Sequence, residues 1–156
     1  MRQFNRVQRA FSMIELVIVV VIIGIIAAIA IPRMSRGATG ATESTLSANL
    51  RVMRNAIDLF QTEHDGVFPS TTDVTNQLTT YSNAAGTSSP TKIAAFIFGT
   101  YLHSVPPLPV GAKKGSTGIA AIDGVGVGWI YDGAGNIISN TTALEVDSQG
   151  KKYNLY

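Results

Sequence analysis

An apolar run from Leu16 to Ile31, opened by a single acid at Glu15 and closed by Pro32, constrains this chain more than any other feature. Twelve of its sixteen residues are Leu, Ile or Val. Val and Ile favour strands on propensity alone. In lipid a lone strand would leave its backbone groups unpaired, so the run is read as a helix. Phe11 to Ile31, rising ~1.5 Å per residue, spans roughly 31 Å against a hydrocarbon core of ~30 Å. At about 0.3–0.6 kcal/mol each, the twelve branched residues favour insertion by roughly 4–7 kcal/mol. A mid-bilayer charge costs ~2.5–3.5 kcal/mol, and less near an end, where Glu15 lies. Insertion wins with the acid in place, yet the acid still calls for a reason.

Charge follows the same plan. Five of the twelve basic residues, Arg2, Arg6, Arg9, Arg33 and Arg36, crowd the N-terminal end. From residue 37 onward seven basic residues face nine acids, so the sequence pI near 9.0 reflects a membrane-proximal cluster. No basic stripe interleaved with aromatics occurs, and no nucleic-acid partner is expected. The basic leader places the N-terminus on the cytoplasmic side and the distal part across the membrane. The absence of cysteine excludes disulfides, thiolate metal sites and cysteine nucleophiles.

Other readings of the segment fit less well. A cleaved secretory signal would share the basic start and the small-x-small site, here Ala28-Ile29-Ala30. The length of the run, Glu15 and Pro32 argue against it. A plain signal anchor needs no acid, and a buried core helix leaves the basic leader without purpose.

Pro32 lacks an N–H and crowds the preceding turn, which predicts a kink or local unwinding. The small polar stretch from Gly37 to Thr45 is a further weak point, through which the helix is expected to continue. Beyond it Leu46, Leu50, Met53, Ile57 and Phe60 are spaced 4-3-4-3, one apolar stripe of an amphipathic helix. Arg51, Arg54, Asp58 and Glu63 lie off the stripe, and Arg54 and Asp58 stand four apart, a pairing distance on a helix. His64-Asp65-Gly66 is expected to end the helix, with Gly66 as a left-handed cap.

The remainder reads as a head. Val74 to Leu78 is a short helical turn capped by Thr72 or Asp73, Asn83 to Thr91 a loop, and Lys92 to Leu102 a short helix or apolar extended segment. Val127, Trp129 and Tyr131 alternate onto one face of a hairpin that turns at Asp132-Gly-Ala-Gly135. Further strands are expected around Ala143 to Val146 and Tyr153 to Tyr156. The domains are thus a leader at 1–10, a membrane helix at 11–32, its amphipathic continuation at 33–65 and a head at 66–156. No catalytic constellation emerges. His64 reads as a helix-end cap and His103 as a surface residue. Gly111-Ala-Lys-Lys-Gly-Ser-Thr117 lacks the frame of a phosphate loop, and Gly124-Val-Gly-Val-Gly128 precedes a strand.

The stretch Ala10-Phe11-Ser-Met-Ile-Glu15-Leu16 resembles the processing site of type IV pilins and pseudopilins, and Ala27-Ala-Ile-Ala-Ile-Pro32-Arg33 resembles that family's segment around its proline. The resemblance implies cleavage between Ala10 and Phe11 by a prepilin peptidase/methyltransferase and N-methylation of Phe11. It makes Glu15 the assembly residue, facing the new amine of a neighbouring subunit. Gly24 and Pro32 take the family's helix-bending positions. One departure is Ala10, where the family usually has glycine. Asp65-Gly-Val-Phe-Pro69 and Tyr101-Leu-His-Ser-Val-Pro106 resemble elements of the major pseudopilin of type II secretion. Leu108-Pro-Val-Gly-Ala-Lys-Lys114 departs from that branch, which has an acid there.

The implied fold is α+β, a long N-terminal helix packed on a small antiparallel β-sheet head. The implied function is a structural, non-enzymatic subunit of a type II secretion pseudopilus, supporting protein export. Its partners would be other pilin subunits, the processing peptidase, an inner-membrane assembly platform and the lipid bilayer, with the head periplasmic. A type IV pilin for adhesion, motility or DNA uptake is the alternative within the class, and a membrane-anchored binding module the alternative outside it. No cofactor is required. Calcium occurs in heads of the major pseudopilin branch, and Asp123, Asp132, Glu145 and Asp147 are candidates by composition, although the missing acid after Pro107 counts against a transferred site.

Overall fold

A computed structural model describes residues 11–156, with all side chains except those of residues 32, 35 and 36. The chain divides into two units, residues 1–38 and 39–156. One helix, α1 (Met13–Glu63), contributes to both.

In the first unit α1 starts where the Ser12 carbonyl accepts the N–H groups of Glu15 and Leu16 at 3.1 and 3.2 Å. Glu15 lies in the first turn, where a carboxylate complements the unpaired N–H groups of a helix start. Met13–Ile31 is long and apolar enough to cross a membrane, with a mean hydropathy of 3.2. Every large apolar side chain along it is at least 47 % exposed. The helix runs through Pro32 without a break.

In the second unit the polar stretch is helical, and its hydroxyls fold back onto the turn before. Thr42 Oγ1 donates to Thr39 O at 2.8 Å, Ser44 Oγ to Gly40 O at 2.9 Å and Thr45 Oγ1 to Ala41 O at 2.8 Å. The 4-3-4-3 stripe then forms the core as its spacing predicts. Leu46, Leu50, Met53, Ile57 and Phe60 are fully buried and meet Val74, Leu78, Leu102, Leu108, Trp129, Tyr131 and Ile137. The helix closes as read from the sequence. Gly66 is left-handed (φ 83°), its N–H reaches back to Gln61 O at 2.9 Å, and Asp65 joins it in the left-handed region at φ 54°.

A single turn, α2 (Val74–Thr79), follows, with Asp73 at its N-cap. Asp73 makes no capping bond; its carboxylate instead accepts from Asn76 Nδ2 and Ser88 Oγ, both at 2.6 Å. The stretch read as a loop at 83–91 contains a strand. β1 (Tyr81–Ser82) pairs antiparallel with β2 (Ser88–Ser89), because Asn83 gathers the turn by accepting Ala85 N–H and Thr87 N–H on its side chain. Residues 92–102 form no helix; the chain turns between Ile93 and Phe96, and Phe98 bridges to Ser82.

The second sheet is β3 (Gly118–Ala120), β4 (Val127–Tyr131) and β5 (Ile137–Ser139), in that order. The hairpin β4–β5 is antiparallel and puts Trp129 and Tyr131 in the core, as their alternation predicts. The small antiparallel sheets expected of the head are present, and they carry one parallel pairing besides: β3, which the pattern did not reveal, pairs parallel to β4 with a register shift after Gly118. Three residues offer too short an alternation to read. The final strands are also absent. Val146 makes one isolated bridge to Lys152, and Tyr153–Leu155 is a 3-10 turn. Overall the architecture is α+β and pilin-like, a long helix followed by small sheets.

Candidate assembly site and the acids of the head

Ala10, the residue before the expected cut, lies outside the described residues. Phe11, two residues before α1, is 84 % exposed, and Glu15, in the first turn of the helix, is exposed as well. Gly24 has open space around it, with nothing within 4 Å of an added Cβ. A helix that is apolar on every side and exposed on every side is satisfied only by lipid or by other helices. Into such a surface a lone carboxylate enters at a cost, which a neighbouring cation offsets. A free α-amine on Phe11 would be such a cation. Of the residues assigned from the sequence in the first unit, Glu15, Gly24 and Pro32 lie within α1 and Phe11 just before it.

The acids considered for calcium do not assemble. Among the described residues no group of three or more His, Cys, Asp or Glu side chains is placed to hold a metal. Each of the four instead meets donors. Asp132 closes the β4–β5 turn, accepting Ala134 N–H at 2.7 Å, Asn136 N–H at 3.1 Å and Asn136 Nδ2 at 2.6 Å. These bonds, the Asn136 amide foremost, hold its carboxyl below the usual range. Asp147 accepts Gln149 N–H and Lys151 N–H, each at 2.8 Å, and the Tyr156 hydroxyl, which most lowers its pKa. Glu145 takes Ala112 N–H and Thr142 N–H, and the Thr142 bond leads the lowering of its pKa. Asp123 accepts Asn140 Nδ2 at 2.9 Å and pairs with Lys113. A hard cation wants converging oxygens free to face it. This donor-filled set does not fit one.

The histidines carry no catalytic arrangement. His64 stands at the helix end and is buried, with Nδ1 2.8 Å from Phe60 O and Nε2 3.0 Å from Asn83 O and 3.1 Å from Ser82 Oγ. It walls a cavity of about 230 Å³ together with Phe60, Phe68, Gln77 and Gly86. His103 is exposed.

Two residues that tie α1 to the head, and one that ties the head to itself, were not evident in the sequence. Arg54, four residues before Asp58, turns away from it and donates through Nη2 to Tyr156 O at 2.6 Å and Ile137 O at 3.2 Å. Glu43 accepts Ser148 N–H at 2.8 Å and Ser148 Oγ at 2.9 Å. Buried Gln77 spans Ser70 N–H and Gly86 O, each at 2.7 Å. Partners 7 to 105 positions away leave no periodic trace.

No curated protein and no solved structure matches the chain. A family model, the prokaryotic N-terminal methylation motif, matches residues 5–31. That match spans the Ala10–Phe11 junction, Glu15, Gly24 and the exposed apolar helix up to Ile31. The chain carries at its N-terminus the signature of the type IV pilins and pseudopilins.

Proposed function

We propose that this chain is a structural subunit of a type II secretion pseudopilus. On this reading it is trimmed between Ala10 and Phe11, N-methylated on Phe11, and polymerised through its apolar helix with Glu15 as the registry residue. The observation that carries the reading is the methylation motif over residues 5–31, coinciding with a helix whose apolar side chains are exposed throughout. One apolar N-terminal helix is consistent with a single-pass anchor in the inner membrane, and the Arg-rich leader favours a cytoplasmic start. The carboxylate would reward one stagger between adjacent copies, since only one stagger brings it to a neighbour's amine. Export, in this account, draws its work from an ATPase and platform elsewhere. Gly24 and Pro32 would let the helix bend as it leaves the bilayer for the fibre.

The test is the mass of the protein recovered from membranes. A chain that begins at methylated Phe11 supports the reading; one that keeps residues 1–10 overturns it. Deleting the gene then separates the two systems within the class. Loss of secreted enzymes with surface fibres intact identifies a pseudopilus, and loss of surface fibres identifies a type IV pilus.

A further inference from the structure

Three loops of the head, residues 108–117, 121–126 and 140–147, are drawn together around two carboxylates, Glu145 and Asp123. Glu145 accepts Ala112 N–H on Oε1 at 2.5 Å and Thr142 N–H on Oε2 at 2.6 Å. Its backbone is held at both ends, N–H to Thr142 O at 3.1 Å and carbonyl from Tyr153 N–H at 3.2 Å. Room for the carboxylate is made by Gly111. A Cβ there would come within 2.8 Å of Glu145 Oε1, and its φ of 75° suits only a residue without one. The third loop joins through Asp123, which pairs with Lys113 and accepts Asn140 Nδ2, while the same Nδ2 donates to Val127 O at 2.7 Å.

A divalent cation in such a place would need six or more oxygens turned inward. Here Glu145 and Asp123 face N–H groups and an ammonium, which a cation would have to expel. We propose that the Glu145 clasp on Ala112 and Thr142, with Lys113 paired to Asp123, closes the loops of the head in place of a divalent cation, so that the head folds independently of calcium. The charge-assisted bonds to backbone N–H carry most of the effect. The Lys113–Asp123 pair adds little, because Asp123 is 67 % exposed and water screens it. This inference does not depend on the filament reading.

The full chain in detergent supplies the test. Thermal unfolding in millimolar calcium chloride and in EDTA gives the same Tm. Glu145→Gln, which turns an amide NH2 toward one of the two N–H donors, lowers Tm by roughly 3–8 °C, and calcium does not restore it. Lys113→Met lowers it by less than about 2 °C. Saturable calcium binding in calorimetry, or a Tm of the unaltered protein that rises with calcium, overturns the proposal. So does a Glu145→Gln protein with an unchanged Tm. Should that variant fail to fold, amide exchange in the unaltered chain decides: slow exchange at Ala112 and Thr142 supports the clasp, and exchange at the rate of open loops overturns it.

Discussion

The imidazole of His64 lies flat on the ring of Phe60, with centroids 3.8 Å apart and planes 8° from parallel, and also sits 2.8 Å from the Phe60 carbonyl through Nδ1. One residue thus both stacks on the last core side chain of α1 and brings a ring nitrogen to the same carbonyl that accepts its own backbone N–H at 3.0 Å. From the other side Ser82 and Asn83 reach its Nε2, so the ring ties the helix end to β1. Replacing it, His64→Ala, removes a buried ring and leaves polar groups without partners. A loss of about 2–4 kcal/mol is expected. Denaturant unfolding of the detergent-solubilised chain reads it, and a midpoint unchanged from the parent would show that the ring contributes nothing.

Arg54 and Asp58 separate local from tertiary pairing. Because Arg54 bonds Tyr156 O and Ile137 O, Arg54→Ala is expected to cost about 1–3 kcal/mol. Asp58 is exposed, and Asp58→Ala should stay within ~0.5 kcal/mol. Equal losses from the two substitutions would point to a helical ion pair instead.

Acid should loosen the head. The carboxyls of Asp132, Glu145 and Asp147 are all held below their ordinary values by the donors around them. A depressed folded pKa means that the unfolded chain takes up protons first. The associated stability is complete above about pH 4.5, where unfolded carboxylates are ionised, and fades as pH falls through the lower folded values. Tm measured from pH 7 to pH 3 should fall below about pH 4.5, and Asp132→Asn should flatten part of that fall.

At the alkaline end the sign reverses. Burial pushes the Tyr131 hydroxyl up to about 12, while its O–H donates to Pro69 O at 3.1 Å. Its stabilisation is complete below about pH 10 and is lost as pH rises toward the folded value. Tyr131→Phe should lower stability near neutrality by about 1 kcal/mol and weaken the alkaline decline. An identical decline in the variant would assign it to other groups.

For Glu15 the expected result is a split phenotype. Glu15→Gln leaves membrane insertion intact, since it removes a charge from an apolar helix, and it blocks incorporation into filaments. Membrane fractionation reads the first and shear release of fibres the second. Normal fibres from the variant would end the registry role.

Local pattern alone determined the apolar span from Leu16 to Ile31, the core stripe from Leu46 to Phe60, the Gly66 cap and the inward face of Trp129 and Tyr131. Each rests on a period or a backbone preference that neighbouring residues carry among themselves. Other features came only with the folded head: the parallel pairing of β3, the 3-10 turn at Tyr153, the hold of Arg54 on Tyr156, and the N–H donors that occupy Glu145. These belong to residues brought together across long stretches of chain. Which donor a carboxylate meets is set by packing, and nothing in the order of amino acids around Asp123 or Glu145 distinguishes a loop clasp from a cation ligand.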